Sequence, residues 1–190
     1  MIKFIISLFF IVLFHEAAHL IITKLCKCGI DVFSIGFGKP IFKKKIGETT
    51  YQITPILLGG YCKLRDEINH SNDPKAFTNL TYRKKYFISI AGVTINIIMG
   101  IICIIIGKKF NLYNLIYFGN LSLLLGIGNA FPFPALDGSY PILVWLEKFY
   151  GKEKGYKLMN KICKIGFIVL MIINVACIPI LIKLIMTGGL

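Results

Sequence analysis

The chain has 190 residues, of which 56% are hydrophobic and only 16% charged, with a formal net charge of +13. A soluble domain of this length cannot hide so much apolar surface, whereas a bilayer can, so the composition excludes an ordinary soluble enzyme. The bases lie between long apolar runs and not on one folded face, which sets nucleic acid aside as a partner and makes the lipid bilayer the expected one.

The first apolar stretch, about 4–22, is near the ~20 residues that a helix needs to cross a bilayer. It does not read as a cleaved signal peptide. Glu16 would stand three before the cut, where a small neutral residue is needed, and Leu20, Ile21 and Ile22 resume the apolar run. The following segment, about 31–62, reads as short strands at Val32–Ile35, Pro40–Phe42 and Thr50–Ile53, punctuated by glycines. A turn-rich loop follows at Asn69–Pro74. Further spans are expected at 86–106, 112–130 and 165–186, with an amphipathic segment at 139–161 suited to the membrane surface. The expected fold is an all-α polytopic membrane protein, one domain over 1–190, with about four transmembrane helices and a membrane-associated β-loop.

Eighteen Lys and Arg fall in the two segments 24–85 and 148–164, against four elsewhere. By the positive-inside rule both termini face outward and both long connections, the β-loop included, lie in the cytoplasm. Six cysteines show neither zinc-finger spacing nor a disulfide framework, and are read as reduced thiols. Lys43–Lys45 and Arg83–Lys85 are read as contacts to anionic headgroups, and His70 as a solvated loop residue.

His15-Glu16-Ala17-Ala18-His19 fits H-E-x-x-H. Residues four apart share a helix face, so both imidazoles can reach one metal ion with Glu16 close by. If the helix leaves the membrane near Lys24, His15 lies roughly 13 Å deep at ~1.5 Å per residue. Ionisable groups at such depth are costly and mark function by default. Two histidines do not complete a catalytic zinc site, which uses three protein ligands and an open position. Of nine acidic residues only Glu16 and Asp137 stand within or against apolar sequence. Asp137 follows Pro132 and Pro134, which forbid a regular helix, and irregular backbone at membrane depth is tolerated only around a lined site. Asp137 is thus the natural third ligand. Spans one and three run in the same direction, so both motifs are expected on the cytoplasmic side.

HEAAH and Asn129-Ala-Phe-Pro-Phe-Pro-Ala-Leu-Asp137-Gly138 resemble the two signature motifs of the site-2 protease family of intramembrane zinc metalloproteases. The resemblance continues through Gly36-Phe37-Gly38, Gly59-Gly60-Tyr61-Cys62-Lys63, Ala91-Gly92 and Asn96. It implies Zn2+ held by His15, His19 and Asp137, with Glu16 as general base. It also implies that Asn129 positions the substrate backbone and that the β-loop, with Gly59 and Gly60, aligns an extended substrate. Asn96 has two open readings, an interhelical hydrogen bond or a substrate contact. Val93, Ser139 and Ala18 depart from common family residues without touching a ligand. The link at 107–111 is too short for the PDZ domain that larger relatives insert, so a minimal form without a regulatory domain is expected.

The implied activity is hydrolysis of peptide bonds in transmembrane segments, with membrane-tethered regulators or signal-peptide remnants as substrates, in a bacterial cytoplasmic membrane. Two other classes share these features. One is a catalytically silent homologue that binds membrane proteins, which would cleave nothing when loaded with zinc. The other is a small polytopic transporter that uses the polar groups as a pathway, which would not retain zinc through purification.

Overall fold

The computed structural model describes residues 2–67, 71–134, 136–151, 153–155, 157–169 and 172. The chain divides into two compact units, Met1–Phe131 and Pro132–Leu190. The first holds helix α1 (Ile2–Leu25), strands β1 (Ile30–Phe37), β2 (Phe42–Ile46), β3 (Thr49–Ile53) and β4 (Ile56–Leu64), and helices α2 (Tyr82–Lys109) and α3 (Tyr113–Ala130).

α1 is inverted relative to a helix of a soluble protein. Its buried residues are Ile11, His15 and Thr23, on one stripe of the helix, while Ile2, Ile5, Phe10, Phe14 and Ile21 are exposed. A helix with apolar residues outside and polar residues inside is stable where lipid is the solvent. α1 closes in a Schellman turn. Lys27 takes a left-handed φ of 61°, its N–H bonds the Lys24 carbonyl at 2.9 Å, and the Cys28 N–H bonds that of Thr23 at 3.1 Å. α1 and α2 are both long and apolar enough to cross a membrane. α3 has 18 residues and carries Asn114, Asn120, Ser122 and Asn129. The fourth expected span, 165–186, falls outside the described residues beyond 169, apart from 172, so a count of four is not established.

α2 and α3 form an antiparallel hairpin across a link of only three residues, 110–112. Glycines let the two backbones touch: a Cβ on Gly100 would lie 2.9 Å from the Gly119 carbonyl oxygen, and one on Gly119 2.8 Å from that of Gly100. Without a hydrophobic drive in lipid, such close packing and interhelical hydrogen bonds hold helices together. Ser122 Oγ supplies one such bond, donating to the Asn96 carbonyl at 2.8 Å.

The expected β-loop is a four-stranded sheet of order β2-β3-β1-β4. β1 runs parallel to β3 and antiparallel to β4, and β2 is antiparallel to β3. β2 and β4 are therefore its edges. The polar side of the sheet is fastened by Arg65, which reaches Asp31 at 3.3 Å, Glu48 at 3.0 Å and Asp73 at 3.4 Å. Lys75 adds an ion pair to Glu48 at 2.7 Å. These contacts lead the chain from β4 to the start of α2.

In the second unit, Leu136 is extended, a 3-10 turn spans Asp137–Ser139, and helix α4 runs from Tyr140 to Tyr150 with proline in its first turn. Tyr140, Leu143 and Leu146 are buried while Trp145 and Phe149 are exposed, so α4 is two-faced. Residues 157–169 are helical, and Gly166 packs against Pro134, whose carbonyl oxygen would lie 2.7 Å from an added Cβ.

Candidate metal centre

The centre is built on α1. Four-residue spacing brings the rings of His15 and His19 together, with centroids 5.0 Å apart and the two Nε2 atoms separated by 3.3 Å. Two nitrogens each ~2.0–2.1 Å from a tetrahedral zinc stand about 3.3 Å apart, so the pair fits that ion. His15 is buried, at 7% exposure, and His19 is half-buried.

α2 supplies the support. Ile88, Gly92 and Asn96, each four residues apart, form one stripe facing the histidines. The Ile88 carbonyl oxygen lies 2.8 Å from His19 Nδ1. A carbonyl only accepts, so His19 Nδ1 is the donor in this bond, which leaves Nε2 as the nitrogen that can ligate. Asn96, 1% exposed, places its side-chain nitrogen 3.1 Å from His15 Nδ1. Gly92 sits between them: a Cβ there would come within 2.5 Å of His19 Nε2 and closer still to the His15 ring. The space beside both Nε2 atoms exists because this residue has no side chain.

The sheet supplies the other wall. β4 runs past α1 and places Gly60 against Glu16, where a Cβ would lie 2.7 Å from Glu16 Cγ and 2.7 Å from the Ser34 carbonyl oxygen. Gly59, its neighbour, points to the opposite face, as alternation along a strand requires, and packs on the ring of Phe37. Cys62 lies on the Gly60 side. Burial, and after it the Glu16 carboxylate, pushes its thiol up from the ordinary 9.0 to about 12. Cys28 is likewise pushed up to about 12, chiefly by burial. Neither thiol is a ready thiolate ligand.

Within the first unit the structure therefore gathers His15, Glu16, His19, Gly60 and Asn96. For Asn96, the interhelical hydrogen bond is the reading the structure shows. Asn129 lies half-buried in the last turn of α3. Asp137 opens the 3-10 turn of the second unit, half-buried. The Ile88 carbonyl and the space at Gly92 escape a search for reactive side chains. Gly92 shows in the sequence only within the Ala91-Gly92 pair of the family resemblance, and the Ile88 carbonyl leaves no trace.

A helix with membrane-spanning length and apolarity, carrying an H-E-x-x-H pair at tetrahedral-metal spacing and flanked by an edge strand, defines a membrane protein with a metallopeptidase-type centre. The pattern of peptidase family M50 matches residues 3–116. The chain belongs to that family. Proteins with provisional zinc-metalloprotease names resemble it in Borreliella burgdorferi (38% identity over 111 residues, 53% of this chain and 26% of that protein) and Neisseria meningitidis serogroup A (35% over 106 residues, 54% and 24%). This chain thus spans about a quarter of the length of these relatives. The solved Site-2 Protease from Methanocaldococcus jannaschii shares its fold, at a TM-score of 0.57 and 24% identity, over 95% of this chain and 70% of that one. The metal that the family and the two imidazoles call for is Zn2+.

Proposed function

We propose that this protein is an intramembrane zinc endopeptidase that hydrolyses peptide bonds within transmembrane segments of other proteins. The observation that carries the reading is the 3.3 Å spacing of the His15 and His19 Nε2 atoms on a helix of spanning length, with Glu16 against an edge strand. His15, His19 and Asp137 would hold the metal, leaving one position open. When bound, zinc supplies Lewis acidity that polarises the scissile carbonyl and lowers the pKa of water.

The remaining steps belong to the chain. Glu16 accepts the proton of the attacking water and returns it to the leaving amine. β4, an edge strand, offers backbone donors and acceptors to an unwound substrate segment, offsetting part of the helical hydrogen bonding that the substrate must surrender. Gly60 keeps the Glu16 side of that strand free of side-chain bulk. Asn129 positions the substrate backbone near the scissile bond.

The distribution of Lys and Arg supports a multi-pass protein with both termini outside and the centre toward the cytoplasm, and the bacterial relatives support a cytoplasmic membrane. Substrates would be membrane-tethered regulators or signal-peptide remnants. The three-residue link between α2 and α3 leaves no PDZ domain there to select them.

The test is cleavage of a transmembrane substrate by purified zinc-loaded protein, compared with Glu16→Gln. The variant should keep stoichiometric zinc and lose cleavage by at least about 100-fold, the scale of a general base. Full cleavage by the variant would remove Glu16 from the mechanism. Absence of zinc from both proteins would remove the mechanism altogether.

A further inference from the structure

We propose that the outward face of α3 docks on α3 of a second copy of this chain, with the two helices parallel and the Asn120 side chains of both copies bonded to each other. The proposal rests on the multi-pass reading given above, in which α3 lies in the bilayer.

α3 has two faces. Gly119, Ser122 and Gly126 are buried against α2. On the opposite side Tyr113, Tyr117, Asn120, Leu124 and Ile127 are all exposed, Leu124 by 68% and Ile127 by 63%. Their spacing is four, three, four and three residues, which is the seam along which two helices interdigitate in a left-handed coil. Lipid alone satisfies the apolar members of such a stripe. It does not satisfy Asn120.

The depth of that residue follows from the hairpin. Gly119 touches Gly100 of α2, and Gly126 touches Asn96, so Asn120 lies level with the stretch between them. That stretch is roughly 13 Å or more from either end of α2 at ~1.5 Å per residue. An amide exposed at such depth finds no water, and its bonding groups are satisfied only by another helix. Asn120 has no hydrogen-bond partner among the described residues. By contrast Asn114, in the first turn of α3, accepts from Lys3 Nζ at 3.4 Å, and Ser122 donates to the Asn96 carbonyl at 2.8 Å.

A second copy answers this amide. All copies insert with one orientation, set by the distribution of Lys and Arg, so a two-fold axis runs along the membrane normal and each seam residue meets itself at the same depth. An amide carries both a donor and an acceptor, so two of them related by that axis satisfy each other. A single Asn on a seam also fixes the register of the pair. A substrate helix fits this face less well. Asn129, the residue assigned to the substrate backbone, is about two and a half turns beyond Asn120 at ~3.6 residues per turn, which puts it on the other side of α3.

The experiment uses the full chain in liposomes, with donor and acceptor fluorophores on the N-termini of separate preparations. Energy transfer should appear in wild type and fall as added lipid dilutes the protein. Asn120→Leu places an apolar side chain on an already exposed face, and should weaken the dimer about tenfold, the scale of one interhelical hydrogen bond. Asn114→Leu should leave the dimer affinity at the wild-type value. Oxidative cross-linking in native membranes should join two copies of Leu124→Cys, and of Ile127→Cys, beyond the background of the six native cysteines. Leu125→Cys, off the seam, should stay at that background. Wild type without energy transfer, or undiminished affinity in Asn120→Leu, overturns the proposal and leaves the multi-pass reading standing. A cross-link in Leu124→Cys to a different protein, or within one chain, gives the face to another occupant and also overturns it. Labelling of Leu124→Cys by a membrane-impermeant maleimide places α3 in water and overturns both.

Discussion

Gly92→Ala puts one methyl group into the space on which the centre depends. An added Cβ would stand 2.5 Å from His19 Nε2 and nearer still to the His15 ring, whereas ordinary contact begins at 3.4 Å. One or both rings must therefore retreat by about 1 Å, or α2 must move outward, when ligand sets tolerate about 0.5 Å. The metal-free protein can relieve the clash by turning an imidazole, at a cost of about 1–3 kcal/mol, the usual scale for overpacking. The loaded protein cannot, because both Nε2 atoms must converge on one ion. Zinc affinity should consequently fall by at least about 100-fold, or ~2.8 kcal/mol at 1.4 kcal/mol per tenfold. Chelator competition measures the affinity, and thermal unfolding in detergent without metal measures the stability. Gly128→Ala is the control, since nothing lies within 4 Å of its added Cβ, and its affinity should stay at the wild-type value. If Gly92→Ala bound zinc as wild type does, the two imidazoles would not share a metal at this position, and the reasoning would fail.

Gly60→Ala should act on the other wall: the Cβ meets Glu16 Cγ at 2.7 Å, so cleavage should fall tenfold or more through kcat while zinc content stays stoichiometric. Loss of zinc in that variant would show that Gly60 supports the ligands and not the base. Cys28 and Cys62, with thiols at about 12 against an ordinary 9.0, should resist iodoacetamide at pH 8 until the protein unfolds. Because their folded values are raised, the stability they contribute is present below pH 9 and is lost as pH rises from there toward 12. Alkylation of both in folded protein at pH 8 would contradict the burial assigned to them.

The chemistry of the site was legible where it resides in side chains with a fixed spacing. His15, Glu16 and His19 announce themselves because residues four apart on a helix share a face, and the apolarity around them announces the membrane. The support was legible only as resemblance, in Ala91-Gly92 and Asn96, and its working parts are a carbonyl oxygen at Ile88 and a missing side chain at Gly92. Neither leaves a chemical signature in a sequence. The sheet shows the same division. β1 and β3 stand out as branched and aromatic runs, but their parallel pairing joins residues such as Val32 and Thr50 through space, with no local cue. β4 was hidden by Gly59 and Gly60 in its middle, residues that weaken a strand pattern but here make room for Phe37 and Glu16. β2 was expected at Pro40–Phe42 and lies at Phe42–Ile46, because Lys43, Lys44 and Lys45 read as a charge run and lie on an exposed edge strand, where lysines discourage pairing with other chains. α3 was expected as a span over 112–130 and is a helix over Tyr113–Ala130, in which Ser122 is buried and bonds the Asn96 carbonyl of α2.

X-ray absorption spectroscopy of the zinc-loaded full chain tests the central claim most directly, because it reads the ligands themselves. The account predicts a four-coordinate zinc with two imidazole nitrogens at ~2.0–2.1 Å, oxygen in the remaining positions and no sulfur, and it predicts that His15→Ala or His19→Ala removes the signal. A zinc–sulfur shell at ~2.3 Å, or an unchanged spectrum in both histidine variants, would place the metal elsewhere and contradict the account.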